Sequence, residues 1–530
     1  MEYRTDNLII GGGVAGLVAA LELARAGRQV TIVDRDTHER IGGLARWAFG
    51  GMALVGTPEQ RRMGVPDTPA IAYNDWASFA EFSQYDHWPK AWAQAYVQES
   101  RPVIYDWLRS LGLKFMPAVN WVERGLFVPG NSLPRYHVLW GAGLGLVEAL
   151  LNALRPFESH VQWLHQHTAT EFIPDQHGVV GVTGVDGEGN AFRVNAQRTL
   201  VATGGINGSV QQVIKHWPAH WGKAAQAQLL NGAHPFADGQ IHERVAALGG
   251  RISHVSDMWN YAAGVSHPRP HFDGHGLSLI PCKSALWLDE QGDRLGPVPL
   301  VTGFDTNFLC EQVSHHPHTW QLLNWHIAAH ELAVSGAEHN PAIRDHKLVK
   351  FLWQTLRGNH ALVQQMLEEC EDFLVADSLD ELVAKMQALT PEMPVQVHKV
   401  KASVAHWDQM TARPPHLQDD DQIRRINHAR AWRPDRLRTV KPAPITDPRR
   451  GPLIAIRCRL ISRKSLGGIQ TDLHSRVLTG TGEPIAGLYA IGEAAGFGGG
   501  GASGKRSLEG TFLAGCVLTA RKAAQHINEQ

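Results

Sequence analysis

"LIIGGGVAGLVAALELARAGRQVTIVDRD", residues 8–36, is the segment that best predicts the fold of the N-terminal part of the chain. Its apolar start, "LII", suits a buried parallel strand, and the Ala- and Leu-rich segment that follows, residues 14–26, suits a helix packed on a sheet. Between them, Gly11, Gly13 and Gly16 have the spacing GxGxxG. These glycines permit a tight turn, a close approach of backbone to a pyrophosphate and close helix–strand packing. The segment therefore predicts a Rossmann-like α/β unit with a parallel sheet.

A second strand and an acid complete this unit. Gly27 is placed to cap the helix, and "VTIV" at residues 30–33 predicts a β-branched strand that ends at Asp34. An acid at this distance from the glycines can hold ribose hydroxyls, so we predict a dinucleotide cofactor, although the fingerprint does not separate FAD from NAD. The cofactor-binding residues predicted in this segment are Gly11, Gly13, Val14, Ala15, Gly16, Asp34 and Arg35.

Length and charge narrow the class of protein. The chain has 530 residues, with 50 Lys and Arg against 51 Asp and Glu. This length predicts two domains, or one domain with a large insertion. The near-zero net charge gives no global electrostatic reason to expect nucleic acid or an anionic membrane as the partner. We expect a small-molecule substrate.

The five cysteines are scattered and lack CxxC spacing. This pattern disfavours a disulfide framework, a zinc site of the usual spacing and covalently attached haem. The N-terminus is polar and acidic, unlike a basic leader, and no apolar run reaches membrane-spanning length. We expect a reduced, cytoplasmic protein with no membrane span and no metal, including none at "HHPH", residues 315–318.

A glycine-rich loop near the C-terminus, "GFGGGGASGKRSLEG" at residues 496–510, contains GxxxxGK. A phosphate-binding loop of an ATPase places Ser or Thr after the lysine to ligate Mg²⁺, and here Arg506 follows Lys505. Only one helix length of chain remains after this loop, so no later strand can supply a metal-binding Asp. The ATPase interpretation is therefore disfavoured.

Five further motifs follow the fingerprint in a characteristic order. They are "RIGGLARWAFGG" (residues 40–51), "TLVATGGINGS" (199–209), "HPFADGQIHERVAALGG" (234–250), "SLGGIQTD" (465–472) and "PIAGLYAIGEAAG" (484–496). Together they resemble the flavoprotein superfamily of fumarate reductase, succinate dehydrogenase and 3-ketosteroid dehydrogenases. The resemblance implies FAD as the cofactor. Because "LARW" offers no histidine, attachment is expected to be non-covalent.

The resemblance also implies a discontinuous organisation. We expect an FAD-binding domain at residues 1–265 and 463–530, with a parallel sheet and helices, interrupted by an α+β cap domain at residues 266–462. The glycines at 498–501 are expected to let backbone pass close to the flavin ring, with the closing helix starting near Ser507. The further cofactor-binding residues implied are Gly42, Gly43, Leu44, Ala45, Thr203, Gly204, Gly205, Asp238, Gly492, Glu493, Ser507 and Leu508.

The chain departs from its relatives where they place catalytic groups. Fumarate reductases carry an arginine acid a few residues beyond the segment that contains Arg294, and here no Lys or Arg occurs between it and Arg344. Lys464 replaces their histidine. Steroid 1-dehydrogenases place a tyrosine in the glycine loop, and here no tyrosine follows Tyr489. Both reactions, in their known forms, are therefore in doubt.

Basic and proton-transfer groups remain as candidates. They could polarise a substrate carbonyl or balance negative charge at the reduced flavin, although a surface or core role is the alternative for each. The candidate catalytic residues are Lys464, Arg506, Lys505, Arg294 and Tyr136, with Arg463 and His137 beside them.

Three functions fit these observations. The first is an FAD-dependent dehydrogenase that forms or reduces a C=C bond next to a carbonyl or carboxylate, for which the many tryptophans favour a ketosteroid-like substrate. The second is a flavoprotein oxidase or dehydrogenase acting on C–O or C–N bonds. The third is a catalytically degenerate flavin-binding module. The absence of a second dinucleotide fingerprint predicts that a separate electron acceptor or donor exchanges electrons with the flavin.

Overall fold

The computed structural model describes residues 1–296 and 298–530 and is organised around two large sheets. The strands in chain order are β1 (Glu2–Ile10), β2 (Val30–Asp34), β3 (Gly51–Ala53), β4 (Lys114–Phe115), β5 (Tyr136–Trp140), β6 (Val161–His165), β7 (His167–Pro174), β8 (Val179–Asp186), β9 (Ala191–Val201), β10 (Leu230–Asn231), β11 (Ile252–Ser253), β12 (Met258–Ser266), β13 (Gly276–Ile280), β14 (Leu286–Leu288), β15 (Thr319–Asn324), β16 (Ala333–Val334), β17 (Phe373–Ala376), β18 (Leu453–Ser465), β19 (Gly468–Ile469), β20 (Arg476–Leu478) and β21 (Pro484–Ala490).

The α-helices in chain order are α1 (Val14–Arg25), α2 (Pro58–Arg62), α3 (Pro69–Ala80), α4 (His87–Glu99), α5 (Asp106–Ser110), α6 (Ala142–Leu154), α7 (Val210–Lys215), α8 (Gln240–Ala247), α9 (Thr306–Val313), α10 (Trp325–Glu331), α11 (Pro341–Arg344), α12 (Leu348–Arg357), α13 (His360–Glu369), α14 (Leu379–Leu389), α15 (Val397–Ala412), α16 (Asp421–Ala431), α17 (Arg433–Leu437) and α18 (Thr511–Asn528).

The first sheet confirms the predicted Rossmann-like fold. Its strands lie in the order β20-β21-β9-β1-β2-β6, and β21, β9, β1, β2 and β6 pair in parallel. β7 and β8 extend it as an antiparallel hairpin against β9. The helix α1 connects β1 to β2, which is the kind of crossover connection that parallel strands require. The predicted boundaries of α1 and β2 agree with the structure to within one residue.

The helices α1, α6 and α18 cover one face of this sheet and form its main apolar core. Gly16 explains how closely α1 approaches β1, because a Cβ at this position would lie 2.0 Å from the Gly11 carbonyl oxygen. Substitution of Gly16 would therefore push the helix away from the sheet. The second face is covered by β7, β8 and α8, with a smaller apolar cluster.

The second sheet, with the helices packed on it, forms the other large core. Its strands lie in the order β14-β15-β18-β12-β13-β16, and β10 and β17 also pair with β18. The long strand β18 therefore connects this sheet to the C-terminal return into the first sheet. The domain boundaries at residues 265 and 463 stay a prediction, and the strand pairing places β12 and β18 in the second sheet.

Within the described residues, no helix combines the length and the apolar character needed to cross a bilayer. The five cysteines are free thiols, and four of them are buried.

The glycines of the C-terminal loop pack closely against other parts of the protein. A Cβ at Gly498 would lie 2.6 Å from the Trp92 ring, and one at Gly501 would lie 2.7 Å from the ring of His254. Both glycines have positive φ angles, 121° and 151°, that L-residues rarely adopt. The glycines therefore permit close packing in unusual backbone conformations, and the expectation that they pass close to the flavin ring stays a prediction.

His254, whose ring lies against Gly501, bridges two acids. Its Nδ1 lies 2.7 Å from Asp257 and its Nε2 lies 2.8 Å from Asp86, and the bond to Asp257 raises the pKa of His254 despite partial burial. A histidine whose pKa is higher in the folded than in the unfolded state stabilises the folded protein while it is protonated. This stabilisation is complete below the unfolded-state pKa of about 6.5, and it is lost as pH rises through the pKa of the folded state.

We expect His254→Gln to lower the free energy of unfolding by about 1–3 kcal/mol near pH 6, because a charged bridge between two acids is removed. The difference between the wild type and the variant should shrink as pH rises toward 9. Urea unfolding of both proteins across this pH range measures the difference in the free energy of unfolding. A constant difference would show that protonation of His254 contributes nothing.

Candidate functional site

One large cavity lies between the two sheets. It begins at the ends of β1, β2 and β9 and continues past β3 and β5 to the start of α18. Ligands of parallel α/β sheets bind at the carboxyl ends of the strands, which is where this cavity starts. The predicted cofactor residues that line it are Gly11, Gly13, Val14, Ala15, Asp34, Arg35, Gly42, Gly43, Leu44, Ala45, Thr203, Gly204 and Glu493.

The other predicted cofactor residues are not among those that line the cavity. They are Gly16, Gly205, Asp238, Gly492, Ser507 and Leu508. Gly205 lies against Glu493, since a Cβ there would lie 2.6 Å from a Glu493 carboxylate oxygen. Asp238 forms an ion pair of 2.6 Å with Arg35 and so orients a lining residue. α18 begins at Thr511, four residues later than expected, and Ser507 and Leu508 are buried before it.

The glycine turn forms a bare cradle on the cavity wall. A Cβ on Gly13 would meet no protein atom within 4 Å, and Gly13 forms a bridge with Gly42, whose φ is 114°. Gly13 is the N-cap of α1, so the free N–H groups of the first helical turn face the same place. A helix N-terminus beside two uncovered backbones fits the pyrophosphate of a dinucleotide. The residues present therefore fit FAD.

Two carboxylates lie along this part of the cavity. Asp34 accepts hydrogen bonds from the Gly12 N–H at 2.5 Å and the Asp36 N–H at 2.7 Å. Glu493 accepts one from the Ser465 N–H at 3.0 Å, and burial raises the pKa of Glu493. Both carboxylates line the cavity, and their predicted hydrogen bonds to cofactor hydroxyls stay a prediction.

The far end of the cavity is aromatic. Phe49, Phe497 and Phe512 line it, and the rings of Phe497 and Phe512 lie 5.0 Å apart. Tyr136 and Tyr261 add hydroxyl groups to this wall. An apolar lining with a few polar groups is the usual composition of a site for a small apolar ligand.

The hydroxyl of Tyr136 is available to a ligand. Among the described residues it has no hydrogen-bond partner, while burial, followed by the nearby Glu509, raises the pKa of Tyr136 far above its usual value. The Tyr136 side chain packs directly against Gly51, since a Cβ at position 51 would lie 2.0 Å from the Tyr136 hydroxyl oxygen. The hydroxyl therefore stays protonated and is a hydrogen-bond donor. His137, the next residue, instead bonds Thr57 at 2.8 Å and lies outside the lining.

Glu509 is the functional candidate that the sequence did not reveal. Its Oε2 accepts hydrogen bonds from Trp259 Nε1 at 2.9 Å and from the Tyr261 hydroxyl at 2.8 Å. Its Oε1 has no partner in the described part of the chain, and the side chain lines the cavity. Burial and Glu509 raise the pKa of Tyr261, so this phenol donates to the carboxylate. The sequence around Glu509, "SLEG", does not indicate a functional carboxylate, because the side chains that hold it, Trp259 and Tyr261, come from the distant β12.

Two basic residues at the end of β18 also face the cavity. Burial, and then the neighbouring Arg463, lower the pKa of Lys464, whose Nζ lies 4.3 Å from the centre of the Phe512 ring. Burial also lowers the pKa of Arg463, which donates to the Gly232 carbonyl. In the described residues Arg463 has no ion-pair partner, so its charge is available to an anionic or carbonyl ligand.

The structure does not bring three of the candidate residues into the cavity lining. Arg294 pairs with Asp420 at 2.6 Å in the second sheet's domain. Arg506 pairs with Glu81 and lies 3.4 Å from Asp305. Lys505 is exposed. Arg294 and Arg506 are therefore held in ion pairs outside the cavity lining, and Lys505 lies on the solvated surface.

Groups of side chains with metal-ligand spacing occur away from the cavity. Three sets of donor atoms lie within 4.8 Å of one another: His267 with His271 and His275, His267 with Glu338 and His339, and Asp289 with Glu290 and His316. His267 Nδ1 accepts a hydrogen bond from the Arg269 N–H, so its other nitrogen carries the proton that it donates to Glu338. Hydrogen bonding explains this contact, and the expectation of no metal stays a prediction.

The fold and this cavity define a flavoprotein, and comparison with known proteins gives its family. Residues 6–513 match the FAD binding domain family, so the chain belongs to that family. It is an FAD-dependent oxidoreductase.

Named relatives cover almost the whole chain. A KsdD-like steroid dehydrogenase from Mycobacterium tuberculosis is 41% identical over 542 residues, covering 98% of this chain and 95% of the relative. Another, from Mycolicibacterium smegmatis, is 41% identical and covers 96% of each.

Solved structures share the fold at low sequence identity. The 3-ketosteroid delta1-dehydrogenase from Sterolibacterium denitrificans, in complex with 1,4-androstadiene-3,17-dione, superimposes with a TM-score of 0.71 at 15% identity and covers 99% of each chain. The 3-ketosteroid-delta4-(5alpha)-dehydrogenase from Rhodococcus jostii has a TM-score of 0.66 at 19% identity and covers 100% of this chain and 97% of the other.

Proposed function

We propose that the protein forms or reduces a carbon–carbon double bond next to the carbonyl of a steroid-like ketone. The observation that carries this proposal is the far end of the cavity, where an apolar aromatic wall surrounds a free hydroxyl donor, Tyr136, and an anchored carboxylate, Glu509. An apolar ketone needs such a wall for its rings, one donor for its oxygen and one base for the adjacent carbon. The names of the relatives at 41% identity support the same substrate class.

In this proposal the two polar groups have separate roles. Bound FAD supplies the acceptor or donor for the hydride. The Tyr136 hydroxyl donates a hydrogen bond to the substrate carbonyl and so makes the neighbouring C–H bond more acidic. Oε1 of Glu509 takes the proton from that carbon, or returns it in the reverse direction. Trp259 and Tyr261 hold the other carboxylate oxygen and orient the group.

Lys464 and Arg463 have a different role. Both are buried cations beside the cavity, and neither has an ion-pair partner in the described residues. We propose that they balance negative charge that develops on the cofactor or on the substrate oxygen. Arg294, Lys505 and Arg506 are not part of this proposal because the structure gives them other partners or exposes them.

We expect Tyr136→Phe to lower kcat about 10- to 100-fold, since it removes one hydrogen bond to an oxygen that gains charge. The FAD content should be unchanged, because the phenyl ring keeps its contacts. Steady-state turnover with a 3-ketosteroid and an artificial electron acceptor measures the effect. Phe49→Leu, on the same wall and without a polar group, is the control for packing. Equal effects of both variants would contradict a role for the hydroxyl.

The function itself is tested by turnover of a substrate panel. The purified protein, loaded with FAD, is incubated with an artificial acceptor and a ketosteroid, a hydroxysteroid, an amine or a hydroxy acid. A product two hydrogen atoms lighter than the ketosteroid, with its carbonyl retained, would support the proposal. Turnover of only the hydroxy or amine compounds would favour oxidation at C–O or C–N bonds, and no turnover would favour a degenerate module.

Two further aspects remain part of the proposal. We propose a separate redox protein or quinone-like acceptor as the electron partner, because the chain has a single dinucleotide fingerprint. We also propose a cytoplasmic location, on the grounds of the scattered free cysteines.

A further inference from the structure

The helix α12, Leu348–Arg357, exposes an unusual number of large apolar side chains. Buried residues are absent from this helix, all of which lies in the described part of the chain. Its exposed apolar side chains, with their exposed fractions, are Leu348 (54%), Val349 (83%), Leu352 (49%), Trp353 (63%) and Leu356 (64%). Scattered apolar residues on a surface are normal, but a contiguous group of this size indicates a binding surface.

These five residues, which we call the α12 apolar face, lie on one side of the helix. With 3.6 residues per turn, positions i, i+1, i+4, i+5 and i+8 fall within an arc of about 140°. The opposite side faces the protein, where Phe351 contacts the ring of Trp140 at 6.0 Å between centroids. The helix is therefore amphipathic with its larger apolar side turned outward, which is the reverse of a helix that covers a core.

Positive charge borders the apolar face. Lys350 and Arg357 lie next to it on the helix, and the Arg357 guanidinium lies 5.4 Å from the centre of the Trp353 ring. Neither has an ion-pair partner in the described residues, whereas Lys347 pairs with Asp345 at 3.2 Å. "LVKFLWQTLR" contains no acidic residue. The chain as a whole is nearly neutral, so this local positive charge is not visible in the composition.

We propose that the α12 apolar face is a docking surface for the interface of a bilayer containing anionic lipids. A short amphipathic helix with Leu and Trp on one side and cations at its border is suited to lie in the plane of the interface, its apolar side among the acyl chains and its cations at the headgroups. At ten residues the helix is too short to span a membrane.

The charges favour a bilayer over a second copy of the chain as the occupant. In a two-fold symmetric dimer the same surface is used twice, so α12 would pack near its own copy. Lys350 and Arg357 would then approach the same residues of the partner with no acid on the helix to neutralise them. An anionic bilayer complements both the apolar face and the charges.

The position of α12 connects this surface with the cavity. Phe351, on its inner side, belongs to the apolar cluster that also contains Phe49 and Tyr136, and these two residues line the cavity. An apolar ketone partitions into a bilayer, so docking there would place the enzyme at the source of its substrate. This last step rests on the proposed function, whereas binding of the bilayer does not.

The test is co-sedimentation of the FAD-loaded protein with vesicles of phosphatidylcholine, with and without phosphatidylglycerol. We expect binding to the mixed vesicles, and a loss of affinity of about tenfold or more in the double variant Leu352→Ser with Trp353→Ser. Leu417→Ser with Leu437→Ser, at positions 54% and 46% exposed, is the matched control and should bind as the wild type does. Lys350→Glu should weaken binding to the mixed vesicles.

Retained flavin absorbance and circular dichroism show that each variant is folded, and no turnover is measured, so failure here is separate from failure of the proposed function. Absence of binding by the wild type to either vesicle would overturn the proposal. So would equal binding by the wild type and the double variant. A dimer seen by light scattering that the double variant abolishes, without vesicle binding, would assign the face to a second copy of the chain instead.

Discussion

Replacement of Glu509 by glutamine is expected to lower kcat about 10²- to 10⁴-fold, the usual contribution of a positioned proton-transfer group. Glutamine keeps the size of the side chain and can still accept bonds from Trp259 and Tyr261, which hold Glu509 at 2.9 and 2.8 Å. It cannot accept a proton from carbon at neutral pH. The loss should therefore appear in kcat, with little change in bound FAD or in KM.

Steady-state kinetics with a ketosteroid, together with the FAD-to-protein ratio, measure this effect. The matched control is Glu81→Gln, a carboxylate that pairs with Arg506 outside the cavity lining. The control should keep a kcat close to that of the wild type. A wild-type kcat in Glu509→Gln would exclude Glu509 as the proton acceptor.

Gly13→Val is expected to weaken FAD binding about 10- to 100-fold or more and so to abolish most activity, because an added side chain would occupy the cradle for the pyrophosphate. The apo fold should survive. Gly13 has φ of −71°, which any residue can adopt, and its Cβ would meet no protein atom within 4 Å. The added bulk would therefore conflict with the cofactor and not with the protein.

Titration of the apoprotein with FAD, followed by flavin fluorescence, measures the affinity. Gly480→Val is the control, since Gly480 also has open space around its Cβ but lies in a turn far along the chain, outside the cavity lining. Its FAD affinity should equal that of the wild type. Unchanged affinity in Gly13→Val would mean that the cofactor does not lie across the glycine turn.

The fold could be predicted from the sequence because its signals are local. The strand, glycine turn and helix of residues 8–36 each follow from neighbouring residues, and the structure confirms α1 and β2 to within one residue. The same holds for the lining glycines at residues 11, 13, 42 and 43, whose missing side chains are a property of the sequence itself.

The chemical end of the site could be predicted only in part. Lys464 and Tyr136 do line the cavity. Arg506 instead pairs with Glu81, 425 residues away, and Arg294 with Asp420, 126 residues away. No rule based on sequence spacing predicts these ion pairs. Glu509 was missed for the same reason, since its hydrogen-bond donors lie on β12, about half the chain away. The role of the glycine loop cannot be read from its sequence alone, because glycine serves both ligand contact and close protein packing.

Anaerobic titration of the FAD-loaded protein shows whether this protein, with FAD bound in the cavity, oxidises or reduces an apolar ketone. Stepwise addition of a saturated or partly saturated 3-ketosteroid, in the absence of any other acceptor, should bleach the visible flavin absorbance in the wild type. In Glu509→Gln the bleaching should be slower by the factor seen in kcat. A flavin that stays oxidised with every ketosteroid but is bleached by a hydroxy acid or amine would contradict the proposed function, as would a protein that takes up no FAD.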